Sequence, residues 1–105
     1  MLHGKRLMVV MPAFRAARTL ELTWRGLPTE IVDRVLLVDD ASHDETAEIA
    51  KTLGIDVLLH ETNQGYGANQ KTCYRLALEA DGDIIIMVHP DYQYTPRLIP
   101  ALPSR

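Results

Sequence analysis

Short apolar runs alternate with amphipathic stretches along the whole chain. Four runs are apolar at nearly every position, and they cover residues 7–11, 35–38, 55–59 and 84–88. Such runs are typical of strands that are buried on both faces of a parallel sheet. The stretches between them place apolar residues at helical spacing, as Leu20, Trp24 and Leu27 do. The pattern predicts the order β-α-β-α-β-α-β-α, an α/β fold with a mainly parallel sheet of about four strands and helices on both faces.

Several residues predict where these elements begin and end. Pro12 ends the first strand, and Thr19 is placed to cap the first helix. Ser42 and Glu45 match the S-x-x-E capping box, in which each side chain accepts a hydrogen bond from the backbone N–H of the other residue. Gly54 follows the second helix and is expected to close it in the left-handed conformation.

One domain accounts for the size of the chain. Its 105 residues and 11.8 kDa suffice for a single modest core, so we take 1–105 as one domain. The formal net charge of −3 argues against nucleic-acid binding through phosphate neutralisation. A single cysteine, Cys73, excludes an intrachain disulfide and a thiolate-rich zinc site. The run at 84–88 is far shorter than the ~20 residues that span a bilayer, so we expect no membrane segment and a cytoplasmic location.

Polar residues gather where each predicted strand ends. In open parallel sheets, ligands bind beyond the carboxyl ends of the strands, so these segments are the candidates for a binding site. The segments are 12–15 (Pro-Ala-Phe-Arg), 39–42 (Asp-Asp-Ala-Ser), 63–71 and 89–93 (His-Pro-Asp-Tyr-Gln). The alternative for each segment is an ordinary polar loop.

Asp39 and Asp40 are adjacent carboxylates at the end of the second predicted strand. Neighbours in a strand point to opposite sides, so only one of the two faces a given pocket. That one is a candidate to accept hydrogen bonds from the base or ribose of a ligand, and the other to brace the following turn. The alternative is that the pair only helps to cap the next helix.

Gly65 begins a Gly-Tyr-Gly turn before the third predicted helix. The turn would let backbone N–H groups approach an anion, and Lys71, one turn inside the helix, would reach a phosphate as a point charge. The segment is neither G-x-x-x-x-G-K-[ST] nor G-x-G-x-x-G, so it carries neither nucleotide fingerprint. The alternatives are a simple turn and a surface lysine. His43 and His60 give no specific signal.

His89, Asp91 and Gln93 alternate after the fourth predicted strand. In an extended segment their side chains would point to one side. The oxygens of Asp91 and Gln93 suit Mg²⁺ or Mn²⁺, whereas the imidazole of His89 is accepted more readily by Mn²⁺. The three residues are therefore a candidate divalent-cation site that would neutralise a diphosphate leaving group. The alternative is a polar turn at the end of a strand.

Taken together and in order, these segments resemble one family. They are 9–14 (Val-Val-Met-Pro-Ala-Phe), 38–46 (Val-Asp-Asp-Ala-Ser-His-Asp-Glu-Thr), 63–72 and 82–93. The chain is similar to the N-terminal half of GT-A-fold, family 2 glycosyltransferases, and within them to the polyprenyl- and dolichyl-phosphate sugar synthases. The resemblance covers essentially the whole chain and implies a truncated, Rossmann-like sheet of the GT-A type.

The resemblance also implies a nucleotide site for a UDP- or GDP-linked sugar. Pro12, Ala13 and Phe14 would line the base and ribose pocket. Asp40 would hydrogen-bond the base or the ribose. Lys71, or the helix that carries it, would lie near the diphosphate.

For a metal, the resemblance implies the family's D-x-D motif. Asp91 would match its second aspartate, and Gln93 a further polar residue beside a Mg²⁺ or Mn²⁺ ion. His89 stands in place of the first aspartate, which removes a negative charge from the site. Residues 14–16 (Phe-Arg-Ala) replace the family's tyrosine-asparagine-glutamate, so a carboxylate that contacts the ligand is missing.

Length is the larger departure, because the family's catalytic domain is about twice this size. The acceptor site and the general base would lie beyond Arg105, so we expect a donor-binding half that is inactive alone. An exposed edge of the fourth strand would favour a homo-oligomer. Two alternatives stay open. One is a nucleotidyltransferase-like domain, which usually needs a glycine-rich loop after the first strand, and the other is a non-catalytic assembly module.

Overall fold

A computed structural model of the chain describes residues 1–90. Within them, strands and helices alternate as β1 (Leu7–Ala13), α1 (Leu20–Arg25), β2 (Arg34–Asp39), α2 (Thr46–Thr52), β3 (Asp56–Leu59), α3 (Tyr66–Glu79) and β4 (Ile84–Met87). The predicted alternation is confirmed over this part of the chain. The helix predicted after the fourth strand lies outside it. No helix in the described range is long and apolar enough to cross a bilayer.

The strands form one parallel sheet in the order β3-β2-β1-β4. All residues of β1 are buried, as its continuous apolar run predicted for a central strand. Ala13 pairs with Asp39, and Asp39 pairs with Leu59. The carboxyl ends of β1, β2 and β3 are therefore level, and the loops that follow them meet at one edge of the sheet.

The helices cover both faces of the sheet because alternate side chains of β1 point to opposite sides. On one face, the odd-numbered residues of β1 belong to a core that includes Leu20 of α1 and Ala50 of α2. On the other face, Met8 and Val10 pack with Cys73 of α3. The prediction of helices on both faces is confirmed.

The first strand continues through Pro12 to Ala13, so the prediction that Pro12 ends it is wrong. A proline lacks the N–H that a central strand needs to pair with two neighbours. The pairing of β1 with β4 extends only to Val10 and Met87, so at Pro12 β1 pairs only with β2 among the described strands. A proline is tolerated at a position with one neighbour.

The capping box predicted at Ser42 and Glu45 is also wrong. The second helix begins at Thr46, and Glu45 makes no side-chain cap. Asp44 caps this helix instead, since its Oδ1 accepts hydrogen bonds from the Thr46 N–H (2.9 Å) and hydroxyl (2.5 Å). The backbone N–H and the hydroxyl of Ser42 both donate to the Asp39 side chain, so Asp39 competes with the helix for the Ser42 hydroxyl.

Two glycines and a threonine mark other boundaries. Gly54 follows α2 with a φ of +84°, so the predicted left-handed closing residue is confirmed. Gly82 precedes β4 where a Cβ atom would lie 2.6 Å from Cγ of the buried Met8, so only glycine fits without displacement. Thr19 precedes α1 as predicted, but its hydroxyl donates to the Pro90 carbonyl and makes no cap.

Candidate functional site

A pocket of about 300 Å³ lies at the edge where β1, β2 and β3 end. Its walls come from the ends of β1 and β2, the β3–α3 loop and the start of α3, and the lining residues are Pro12, Ala13, Phe14, Asp40, Asn63, Gly65, Tyr66 and Asn69. Five of the seven residues predicted to bind a nucleotide are therefore brought together. Asp39 and Lys71 do not line the pocket. Another pocket, of about 240 Å³, lies at the amino end of the sheet beside Trp24 and Arg34.

Asp40 is the charged residue in the wall of the pocket, with only 3% of its surface exposed. Its Oδ1 accepts hydrogen bonds from the Gln64 N–H (2.8 Å) and from Nδ1 of His60 (2.9 Å). Its Oδ2 accepts from the Gly65 N–H (2.9 Å). An ionised carboxylate only accepts hydrogen bonds, so Nδ1 of His60 carries a proton.

Two opposing influences set the charge of Asp40. Burial is the largest of them and raises the pKa of its carboxyl group. The hydrogen bonds from the Gln64 N–H, from His60 and from the Gly65 N–H, with the attraction of His60, together outweigh burial and lower this pKa below its ordinary value of 3.8. Asp40 is therefore an anion at neutral pH, and it presents an acceptor to the pocket.

Asp39 braces the turn that follows β2. Its Oδ1 accepts hydrogen bonds from the backbone N–H (3.1 Å) and the hydroxyl of Ser42. Ser42 Oγ in turn accepts from the Arg15 N–H (2.7 Å), which ties this turn to the loop after β1. Ala41 and His43, on either side of Ser42, both have a φ of +57°. Asp39 thus occupies the bracing role that was one of the two expected for the aspartate pair.

His60 is the functional candidate that sequence reasoning missed. It follows β3, is 8% exposed, and donates its backbone N–H to the Asp39 carbonyl (2.9 Å). While Nδ1 contacts Asp40, Nε2 lies 3.1 Å from Oγ1 of Thr72 in α3. Asp40 and Thr72 are 20 and 12 residues away in the sequence, so no local motif marks the contact. The one feature of the sequence that favours the contact is the predicted pairing of β2 with β3 in such a sheet.

Two asparagines hold the pocket in shape. Asn63 donates from Nδ2 to the Asp40 carbonyl (3.1 Å). Asn69 is 2% exposed and donates from Nδ2 to the carbonyls of Val38 (3.0 Å) and Ala13 (3.4 Å). Asn69 therefore connects α3 to the ends of both β1 and β2. Neither asparagine was singled out as a candidate from the sequence, although both lie in the 63–71 segment.

Gly65 and Lys71 differ in their relation to the pocket. Gly65 has a φ of +94° and directly precedes α3, and its N–H is already bonded to Asp40. Lys71 is exposed on α3, two residues from Asn69 and from Cys73, which are both buried. Residues two positions apart lie on nearly opposite sides of a helix, so Lys71 belongs to the outer face.

His89 lies beside the pocket through its contact with Tyr66. The Tyr66 hydroxyl is 3.0 Å from Nε2 of His89, the two ring centroids are 5.3 Å apart, and Gln70 donates to the same hydroxyl (2.7 Å). The other two predicted metal ligands, Asp91 and Gln93, lie outside the described residues. Over residues 1–90, no three His, Cys, Asp or Glu side chains are grouped closely enough to hold a metal ion.

Solved structures with the same fold include glucosyl-3-phosphoglycerate synthase from Mycobacterium tuberculosis. Its complex with Mn²⁺, UDP and glucosyl-3-phosphoglycerate superposes with a TM-score of 0.79 at 24% identity, over 96% of this chain and 39% of that chain. The likeness shows the fold, so the predicted α/β sheet of the GT-A type is confirmed.

Curated relatives extend the likeness to the sequence. An uncharacterized protein of Methanocaldococcus jannaschii is 36% identical over 96 residues, which is 91% of this chain and 40% of the relative. The undecaprenyl-phosphate mannosyltransferase of Micrococcus luteus is 29% identical over 103 residues, which is 92% of this chain and 42% of the relative. The chain thus spans about two fifths of the length of these relatives.

The family follows from a match that covers nearly the whole sequence. Residues 8–103 match the model of glycosyl transferase family 2. The match includes the carboxyl ends of all four strands, and hence each of the four segments in which the sequence resembles this family. The chain therefore belongs to glycosyl transferase family 2 and is similar to its polyprenyl-phosphate sugar transferases.

Proposed function

We propose that this chain is the donor-binding half of a glycosyltransferase and binds a nucleotide-diphospho-sugar for hexosyl transfer. The observation that carries the proposal is the ionised, nearly enclosed Asp40 in the wall of a pocket formed by three strand ends. Pro12, Ala13 and Phe14 would enclose the base and ribose. The UDP complex of the structurally similar mycobacterial synthase supports this choice of ligand.

The hydrogen bonds at Asp40 favour uracil over guanine as the base. A carboxylate offers about four lone-pair positions. Among the described residues, Oδ1 accepts two hydrogen bonds and Oδ2 accepts one. The remaining position on Oδ2 suits the single N3–H of uracil, whereas guanine presents two adjacent donors that pair best with both oxygens of a carboxylate. We therefore propose a UDP-linked donor, with a GDP-linked donor as the alternative.

A divalent cation completes the proposal, with His89, Asp91 and Gln93 as the residues that would hold it. Their imidazole nitrogen, carboxylate and amide oxygen form a donor set that suits Mn²⁺ better than Mg²⁺. The mycobacterial synthase was solved with Mn²⁺ and UDP together, which supports the choice. When bound, the cation supplies positive charge that stabilises the leaving nucleoside diphosphate.

The chain alone is proposed to bind the donor without transferring the sugar. Asp40 is the only carboxylate among the described residues that line the pocket, and its hydrogen bonds commit it to binding. A general base must reach the acceptor hydroxyl, or a phosphate oxygen of the acceptor must attack directly. The non-catalytic assembly module remains the competing interpretation, and it predicts no ligand.

Calorimetric titration with UDP and with GDP, each with and without Mn²⁺, tests the donor site. We expect UDP to bind about tenfold more tightly than GDP, because one Asp40 acceptor position matches uracil. Mn²⁺ should tighten UDP binding, and His89→Ala should reduce that gain while leaving metal-free binding in place. Lack of binding by both nucleotides would contradict the donor site and favour the assembly module.

The outer edge of β4 leads to a second prediction. In the described sheet, β4 pairs only with β1, and its apolar residues Ile84–Met87 form an outer strand. Such an edge favours pairing with another strand, so we propose self-association of the chain through it. Sedimentation equilibrium over a hundredfold range of concentration should show a dimer or a higher oligomer. A monomer at the highest concentration would contradict the prediction.

A further inference from the structure

We propose that His60 is a positioning residue that holds the Asp40 carboxylate in the orientation that binds the donor base. The proposal rests on the donor-binding function proposed above. The contact that carries it joins Nδ1 of His60 to Oδ1 of Asp40 over 2.9 Å. His60 is 8% exposed and Asp40 is 3% exposed, so water competes little for this bond.

His60 is the part of the Asp40 environment that is fixed to the sheet. The other two donors, the N–H groups of Gln64 and Gly65, belong to the loop between β3 and α3. His60 directly follows β3, and its own N–H continues the pairing to the Asp39 carbonyl. The far side of its ring meets Thr72 of α3 at 3.1 Å. Because the His60 backbone is fixed at the end of β3, the hydrogen bond from its Nδ1 fixes the carboxylate plane.

In this geometry the two oxygens of Asp40 have different hydrogen-bonding roles. His60 and the Gln64 N–H occupy Oδ1, so the carboxylate has one position, on Oδ2, for a ligand. Without the bond from His60, the carboxylate gains rotational freedom, and part of Oδ1 becomes available. We expect weaker UDP binding because the orientation is no longer set before the ligand arrives.

A purely structural role gives a different expectation, because His60 also contacts α3. If its function were to attach α3 to the end of β3, the contact between Nε2 and Thr72 would matter and the hydrogen bond from Nδ1 to Asp40 would not. The positioning role therefore depends on Nδ1 of His60, and the purely structural role depends on Nε2. Amide side chains can separate them, since asparagine places its nitrogen near Nδ1 and glutamine places its nitrogen near Nε2.

The test compares UDP binding by His60→Asn and His60→Gln in the 105-residue chain, with thermal unfolding measured for each. His60→Asn keeps a donor for Asp40 and loses Thr72, so its Kd for UDP should stay within about threefold of the original. His60→Gln loses the donor for Asp40, so its Kd should rise about tenfold. Thr72→Val, the matched control, removes the partner of Nε2 together with the hydrogen bond from the Thr72 hydroxyl to the Ala68 carbonyl, and it should leave the Kd unchanged.

Equal Kd values for the two amide variants, or tighter binding by His60→Gln, would overturn the positioning role while leaving the donor site intact. Absence of UDP and GDP binding by the unsubstituted chain would overturn the donor site and this proposal with it. If His60→Gln does not fold, the imidazole ¹⁵N spectrum of the unsubstituted chain decides. UDP should then shift the Nδ1–H signal of His60 more than the Nε2 signal, and a spectrum that UDP does not alter overturns the proposal.

Discussion

Asp40→Ala is expected to weaken UDP binding at least about a hundredfold and to lower the free energy of unfolding by about 3 kcal/mol at pH 7. The substitution removes the acceptor of the Gln64 N–H and of His60 Nδ1, and one of the two acceptors of the Gly65 N–H. Asp40 and His60 themselves have little access to water. Donors to a charged group that lose their partner in a buried site carry a large desolvation cost. Calorimetry with UDP and urea-induced unfolding measure the two effects.

The matched control is Asp56→Ala, which also replaces an aspartate by alanine at the sheet. Asp56 forms an ion pair with Arg34 in which both side chains are about half exposed. Exposed ion pairs contribute little, so its free energy of unfolding should change by less than about 0.5 kcal/mol and UDP binding should not change. Unaltered UDP affinity in Asp40→Ala would show that the nucleotide does not use this carboxylate.

The same carboxylate makes stability depend on pH in a defined direction. The pKa of Asp40 is lower in the folded chain than its ordinary value of 3.8. Its contribution is therefore fully present above that value, and it is lost as the pH falls through the folded pKa. The difference in unfolding free energy between the unsubstituted chain and Asp40→Ala should thus be constant near neutrality and shrink below about pH 4.

The fold was predictable because burial dictates the pattern of the strands. A strand such as β1, with helices on both of its faces, has no polar position, and its sequence shows none before Pro12. Parallel strands also bring their carboxyl ends to one edge, so 12–14 and the aspartate pair could be expected near one another. The alternation of side chains along a strand predicts only that Asp39 and Asp40 point to opposite sides. It does not predict which of the two faces the pocket.

The residues missed from the sequence act through contacts between distant segments. His60 meets Asp40 and Thr72 only once β3 lies beside β2 and α3 lies across their ends. The failed capping box has a local cause, because the Ser42 hydroxyl donates to the Asp39 side chain three residues before it. Lys71 differs, since the spacing of the buried positions of α3 already placed it on the outer face.

Asn69→Leu is expected to lower the free energy of unfolding by about 3 kcal/mol and to weaken UDP binding together with it. Leucine has a similar size, but it removes the donor to the carbonyls of Val38 and Ala13. Asn69 also accepts, at Oδ1, a hydrogen bond from the Cys73 thiol (3.7 Å). Burial raises the pKa of Cys73 to about 12, so this thiol keeps its proton at neutral pH and loses its acceptor in the variant.

The effect reaches the nucleotide because Asn69 lines the pocket and connects α3 to the ends of β1 and β2. Tyr74→Leu is the control on the same helix, since Tyr74 is 44% exposed, and it should leave both stability and UDP affinity within error. Urea unfolding followed by calorimetry checks both variants. An Asn69→Leu chain as stable as the original would mean that apolar packing against Cys73 offsets the lost hydrogen bonds. The ends of the two strands would then be held together by the sheet alone.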